Sequence, residues 1–271
     1  MIICALNMRA LKAYPALLRA YWERAIAYRA VFVVALLNAA FPLVMMAIWI
    51  GVAQTGPVAG YTAADFASYY LSAVFVRRIT SVGIVSDVER LVRTGELSVY
   101  LIRPLGVIHH FFARVLASRP LAALAPAVLV AVAALLIPGQ QFDLRPLRLL
   151  LFSLACGVGL VLEFLLQYLV AGLSFWIVQT QGVSAAYQFI RAFLGGYIVP
   201  LALFPPAISA VLIWLPFQVS VALPVELLIG RLDLTLGALR LVLGIAWAGL
   251  AALGGHIVWA AGLRSYTAVG A

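Results

Sequence analysis

The sequence predicts an all-α, polytopic membrane protein, and three observations carry that prediction. Of its 271 residues 66% are hydrophobic and only 10% are charged, whereas an ordinary soluble domain is about half apolar and about a quarter charged. Several segments reach about 20 predominantly apolar residues, the length a helix needs to cross a hydrocarbon core of about 30 Å. These runs are continuous rather than alternating, so helices are expected and a barrel is not. Residues 1–271 therefore read as a single transmembrane domain of six spans.

The N-terminal element is expected to lie on the membrane rather than in it. Between residues 9 and 29 the apolar side chains Leu11, Tyr14, Leu18, Trp22 and Ala25 recur at helical spacing, with Lys12, Arg19 and Glu23 on another face. That is the pattern of an amphipathic interfacial helix, in which Pro15 predicts a kink or a late start. The preceding MIICALNMRA is too short an apolar stretch for a secretory signal. The spans are expected at about 30–53, 61–84, 114–137, 147–178, 189–204 and 238–263. The second dissolves into charge near Arg77. Residues 87–110 read as short helical pieces broken by Gly95 and Pro104. The fourth span is long enough to tilt or protrude, and QTQG separates it from the fifth. Residues 205–236 are apolar but cut by Pro205, Pro206, Pro216 and Pro224, which predicts short helices dipping into one interface.

Charge placement sets the orientation. With the N-terminus inside, thirteen of the eighteen basic residues fall on that side: Arg9, Lys12, Arg19, Arg24 and Arg29 before the first span, Arg77, Arg78, Arg90, Arg93, Arg103, Arg114 and Arg119 between the second and third, and Arg264 in the tail. Arg145, Arg148, Arg231 and Arg240 fall on the other side, and Arg191 lies at the fifth span. Basic residues collect in cytoplasmic loops, so both termini and the 87–110 region are expected to be cytoplasmic. The net charge of +9 is then a matter of membrane topology, and no nucleic-acid partner is expected.

Several chemistries are excluded by what the chain lacks. Lys12 is its only lysine and no glycine-rich loop precedes it, so there is no P-loop. His109, His110 and His256 do not have HExxH spacing, and no metal site is expected. Cys4 and Cys156 form neither a disulfide framework nor a metal motif. GVSA at 182–185 with His256 is a faint pattern for an intramembrane serine protease, but it lacks the closing glycine, and a loop serine plus a packed histidine is the better reading. A secondary transporter driven by an ion gradient would show two related halves with interrupted helices. Here the proline-broken region occurs once. Glu163 is the one acid deep in an apolar run. It either pairs across the bundle with Arg191 or Arg78, or lines a translocation path with Arg77, Arg78 and Arg191, and the residues alone leave both open.

The stretch RTGELSVYLIRPL, residues 93–105, combines charged ends with an apolar middle. An element that docks into a groove on a partner needs that apolar middle, with arginines fixing its orientation. A loop that merely holds anionic lipid does not need it, although membrane lipid remains a partner that basic residues would attract.

The order of features resembles the permease subunit of a type-2 ABC exporter, of the six-span bacterial group with separately encoded ATPases. The residues that carry the resemblance are Tyr28-Arg29, GELSVYLIRPL at 95–105, PLALFPP at 200–206, LPF at 215–217 and LPVELLIG at 223–230. It implies an inner-membrane location, an interfacial N-terminal helix, and short outward-side helices between spans five and six. It also implies pairing with a second permease, identical or related, and coupling to an ATP-binding subunit that supplies ATP and Mg; this chain would hold no cofactor and would not itself be an enzyme. The coupling surface implied by the resemblance is Glu89, Arg93, Gly95, Glu96, Tyr100, Leu101, Arg103 and Pro104.

Overall fold

A computed structural model of the chain describes the backbone of residues 8–27, 30–136 and 139–266. Tyr28-Arg29, Ile137 and Cys4 lie outside the described residues. Among those described there are eleven α-helices and no strand: α1 (Met8–Ala27), α2 (Ala30–Ala53), α3 (Ala63–Thr80), α4 (Val85–Arg93), α5 (Leu97–Leu101), α6 (Val107–Leu136), α7 (Pro146–Gly172), α8 (Gln181–Leu194), α9 (Pro206–Leu212), α10 (Ala222–Leu228) and α11 (Leu234–Ser265). The protein is a helical, multi-pass membrane protein. Three helical stretches, Val107–Ala133, Pro146–Phe175 and Leu234–Ser265, are long and apolar enough to cross a membrane by length and composition, and Ala40–Ala53 is a shorter apolar helix.

The helix α3 is at the centre. Thr62 and Asp65 form a capping box at its start, in which the Thr62 hydroxyl accepts from the Asp65 N–H and the Asp65 carboxylate accepts from the Thr62 N–H. These contacts satisfy donors that a helix N-terminus otherwise leaves free. Its residues Phe66 to Val74 are all buried. Because α3 is enclosed by other helices, Ser68 and Ser72 turn their hydroxyls back onto the carbonyls of Ala64 and Ser68, and polar residues are tolerated that lipid would not accept.

Around α3, α7 and α11 pack tightly through small residues. A methyl group on Gly172 would lie 2.7 Å from Val258 Cγ1, so glycine here sets how closely the two helices approach. The Trp259 ring stacks on Tyr168 at 4.3 Å between centroids, and its indole N–H donates to the Tyr168 carbonyl at 2.8 Å.

The prolines of residues 205–236 start helices instead of breaking them. Pro206 opens α9, Pro216 opens a 3-10 turn at Pro216–Ser220, and Pro224 falls in the first turn of α10. In a first turn the missing N–H has no intrahelical partner to lose. The helix α10 is not superficial, since residues 222–227 are all buried, several of them packed with residues of α3 and α7.

Two boundaries differ from the sequence expectation. The fifth segment is helical from Gln181 to Leu194, not from 189 to 204. Gly195 and Gly196 end it, with Gly196 at φ +83° and the Tyr197 N–H donating back to the Ala192 carbonyl at 3.1 Å. That is a Schellman-type stop, which needs the left-handed conformation glycine adopts freely. Tyr69 and Tyr70 of α3 then bind the Gly196 and Ile198 carbonyls at 2.6 and 2.9 Å. The third span, expected to begin near residue 114, belongs to a helix that starts at Val107, so residues 107–110 of the 87–110 region are part of α6. Pro120 and Pro126 both lie inside α6, and just ahead of the first the Val115 carbonyl accepts from Ser118 Oγ and from Arg119 Nε.

Candidate functional site

The segment between α3 and α6 projects a compact element from one end of the bundle. Valine and leucine at 85, 88 and 91 give α4 a buried stripe, which leaves Arg90 and Arg93 exposed. Gly95, at φ +74°, turns the chain after α4, and Leu97 anchors α5 in the core with no exposure. The Tyr266 hydroxyl, just past the end of α11, donates to the Gly95 carbonyl at 2.9 Å. The turn is thereby tied to the last span.

The residues implied by the resemblance divide into two groups. Arg93, Glu96, Leu101, Arg103 and Pro104 are exposed. Ile102 is exposed as well, at 84%, and so is Val99, which was not singled out from the sequence. Together with Leu101 they form an apolar patch rimmed by charge. Glu96 is held by Arg90 at 2.9 Å, a contact between two half-exposed groups that contributes little stability. Tyr100 turns inward, stacked on the Phe111 ring, with the Arg103 guanidinium 4.7 Å from its own ring centroid.

Glu89 does not belong to the outward face. Its carboxylate accepts from the Thr180 N–H at 3.0 Å and from the Thr180 hydroxyl at 2.6 Å, at the N-terminus of α8. An acid there neutralises free helix donors and faces the positive end of the helix dipole. The sequence motif that includes Glu89 thus holds two different jobs.

The second constellation lies deeper. Glu163 of α7 and Arg191 of α8 form an ion pair at 2.9 Å, each 1% exposed. Glu163 also accepts from the Tyr187 hydroxyl at 2.9 Å and from Gln167 Nε2 at 3.0 Å. Gln167 donates to the Val82 carbonyl and accepts from the Ile84 N–H at 3.2 Å. Residues 82–84 lead directly into α4. A closed polar circuit therefore joins α4 to α8 through Glu89, α8 to α7 through Glu163, and α7 back to the start of α4 through Gln167.

Arg78 is not a partner of Glu163. Arg77 lies close by, its guanidinium 4.7 Å from the Tyr197 ring centroid. Arg77 Nη1 and Arg78 Nε are buried without a hydrogen-bond partner. The C-terminal carbonyls of α3 are covered by Arg119 of α6, which donates to the carbonyls of Arg78 and Ser81 at 3.0 and 2.6 Å. Periodicity gave no sign of Gln167, Tyr187 or Arg119. Tyr187 acts on a residue 24 positions away and Arg119 on backbone carbonyls that have no sequence signature, while Gln167, one helical turn from Glu163, also reaches the backbone at Val82 and Ile84.

His256 lines a cavity between α5, α6, α7 and α11, and Ser184 is not among the residues around it. The serine and histidine of the faint protease pattern do not form one site. Among known families, the model described as ABC-2 family transporter protein matches residues 36–270. No curated protein matches the chain.

Proposed function

Since that match spans most of the sequence, the chain belongs to the ABC-2 transporter family, and we propose that it is the permease of an ATP-driven exporter whose ATP-binding subunit docks on α4 and α5. The observation that carries this reading is the exposed patch of Val99, Leu101 and Ile102 beside Arg93 and Arg103. An apolar centre with a charged rim is the anatomy of a protein interface. ATP and Mg belong to the partner, and hydrolysis depends on it. The element faces the cytoplasm, in the bacterial inner membrane, and a second permease, identical or related, completes the translocation route.

The circuit behind α4 gives this docking a mechanical meaning. A rigid element moved by its partner displaces what it is bonded to, and α4 is bonded to α8 through Glu89 and to α7 through Gln167. For Glu163 and Arg191, the geometry supports inter-helix pairing rather than lining of a path, because neither is open to a passing substrate.

The test is Leu101→Asp, assayed by pull-down of the ATP-binding subunit and normalised to membrane-inserted permease. Placing an unpaired charge in a desolvated contact costs about 2 kcal/mol or more, so association should fall at least about 30-fold. Insertion should be normal, since Leu101 lies outside the spans. Undiminished association would remove α5 from the interface.

A further inference from the structure

We propose that the cavity behind α5 holds one acyl chain of an anionic phospholipid from the same leaflet. The cavity has a volume of about 300 Å³, at the lower end of the range for ligand pockets, about 300–1,000 Å³. Its walls include Tyr100 and Leu101 of α5, Ile108 of α6, Tyr168 of α7, and His256 and Trp259 of α11. No acid contributes to the lining, and most of the surface is hydrocarbon or aromatic. An apolar cavity of this kind takes an apolar guest in preference to water.

Position and charge identify the guest. Three walls come from α6, α7 and α11, the helices that are long and apolar enough to span, so lipid is the surrounding solvent. Ile257, next to His256, is 59% exposed, as is Leu253 at 56%; the cavity therefore borders the lipid-facing stripe of α11. Arg103 sits over the ring of Tyr100, one of the lining residues, is exposed, and has no acid partner among the described residues. A guanidinium beside an apolar slot binds a phosphate headgroup while the slot takes the chain. A zwitterionic lipid offers the same chain with weaker attraction.

Leu101 contributes both to this cavity and to the exposed patch of α5. Given the docking role proposed above, a seated chain supports α5 from behind, and the charge of the leaflet adjusts how readily the ATP-binding subunit engages. Chain binding itself requires no ATPase, so the two readings fail separately.

Trp259 supplies the probe, because it lines the cavity and is only 4% exposed, so a chain seated in the cavity quenches it more strongly than lipid that only surrounds the protein. The full-length chain is reconstituted in phosphatidylcholine nanodiscs containing phosphatidylglycerol with brominated acyl chains. The Trp259 signal is the difference between the native protein and Trp259→Phe. Saturable quenching at low mole fraction is expected, with several-fold weaker quenching by brominated phosphatidylcholine and reversal by unbrominated phosphatidylglycerol. Ala260→Leu, which fills the cavity, should abolish the saturable component, and Arg103→Gln should remove the headgroup preference. Quenching that is absent, or that rises in proportion to bulk bromolipid regardless of headgroup and cannot be reversed, overturns the proposal. The competition arm decides the matter even if Ala260→Leu does not fold.

Discussion

The two ends of the helix bundle handle charge in opposite ways. At the end formed by residues 58–62, 139–145 and 229–235, Arg231 bridges to Asp65 at 3.1 Å, Arg148 to Asp143 at 2.8 Å and Arg240 to Glu226 at 3.2 Å. Asp233 caps α11. Hydrogen bonds from Arg145 hold the Asp143 carboxyl down at about 2. At the α4–α5 end, Asp87 is taken by Arg114 and Glu96 by Arg90, while Arg93, Arg103 and Arg264 have no acid partner among the described residues. Three apolar side chains stand exposed beside them. One end pairs its buried and half-buried arginines within the chain, and the other presents surplus positive charge beside uncovered hydrocarbon. A surface left in that condition is suited to something outside the chain.

The comparison can be broken most sharply by showing that the ends are reversed in the membrane. In a background without Cys4 and Cys156, a cysteine at Ser98 is expected to react with an impermeant thiol reagent only from the cytoplasm, and one at Thr235 only from outside. Labelling with the sides exchanged would leave the docking surface in the wrong compartment.

Next in size is the difference between arginines at the two ends. Arg148 is 6% exposed and donates to the carbonyls of Leu232 and Leu227 at 2.7 and 3.3 Å in addition to its pairing with Asp143. Arg148→Ala leaves the buried Leu232 carbonyl without its guanidinium donor, while Asp143 keeps Arg145 and the Leu227 carbonyl keeps the Gly230 N–H, and a buried acceptor left unsatisfied costs about 1–3 kcal/mol. Thermal unfolding of the purified protein in detergent should shift down by several degrees. An unchanged midpoint would mean that the paired end derives its stability from apolar packing alone.

How much of this was legible in advance depends on range. The prolines of residues 205–236 predicted short helices because a missing N–H is a local property. Glu163 stood out because an acid in an apolar run is costly wherever it lies. Its choice of Arg191 over Arg78 was not legible, since that depends on how α7 and α8 pack. The fifth helix ends earlier than expected for a related reason: residues 197–204 are largely apolar, and the stop is marked by the glycine pair, Gly195-Gly196, with Pro200 beyond it. In the candidate site, the exposed face of α5 followed from the charged-apolar-charged pattern. The inward role of Glu89 did not, because its partner, Thr180, is 91 residues away.

Glu89 sharpens the comparison from within the α4–α5 end. If its role is to cap α8, Glu89→Ala should cost about 1 kcal/mol and speed hydrogen exchange at residues 180–184 by about fivefold. Glu89→Gln, which keeps an acceptor, should recover much of the protection. If Glu89 instead contacted the ATP-binding subunit directly, exchange in the isolated permease would be indifferent to both changes.

The smallest effect is the most specific to the contrast. Arg93 lies on the exposed face of α4 with no acid partner among the described residues, so Arg93→Ala removes nothing that the fold uses, and the unfolding midpoint should stay within about 0.5 kcal/mol of the native value. Its contribution should appear only on association. A rim charge adds long-range attraction that salt screens within about 10 Å at 0.1 M. Affinity for the ATP-binding subunit should therefore fall by about 0.5–1 kcal/mol at low salt, with the loss shrinking as ionic strength rises. Measuring association of both proteins across a salt series separates this from a structural effect, which would persist at every ionic strength. A salt-independent loss would show that Arg93 supports α4 itself, and the division between an internally paired end and an end built for a partner would then have to be drawn further along the segment, at Leu101 and Arg103.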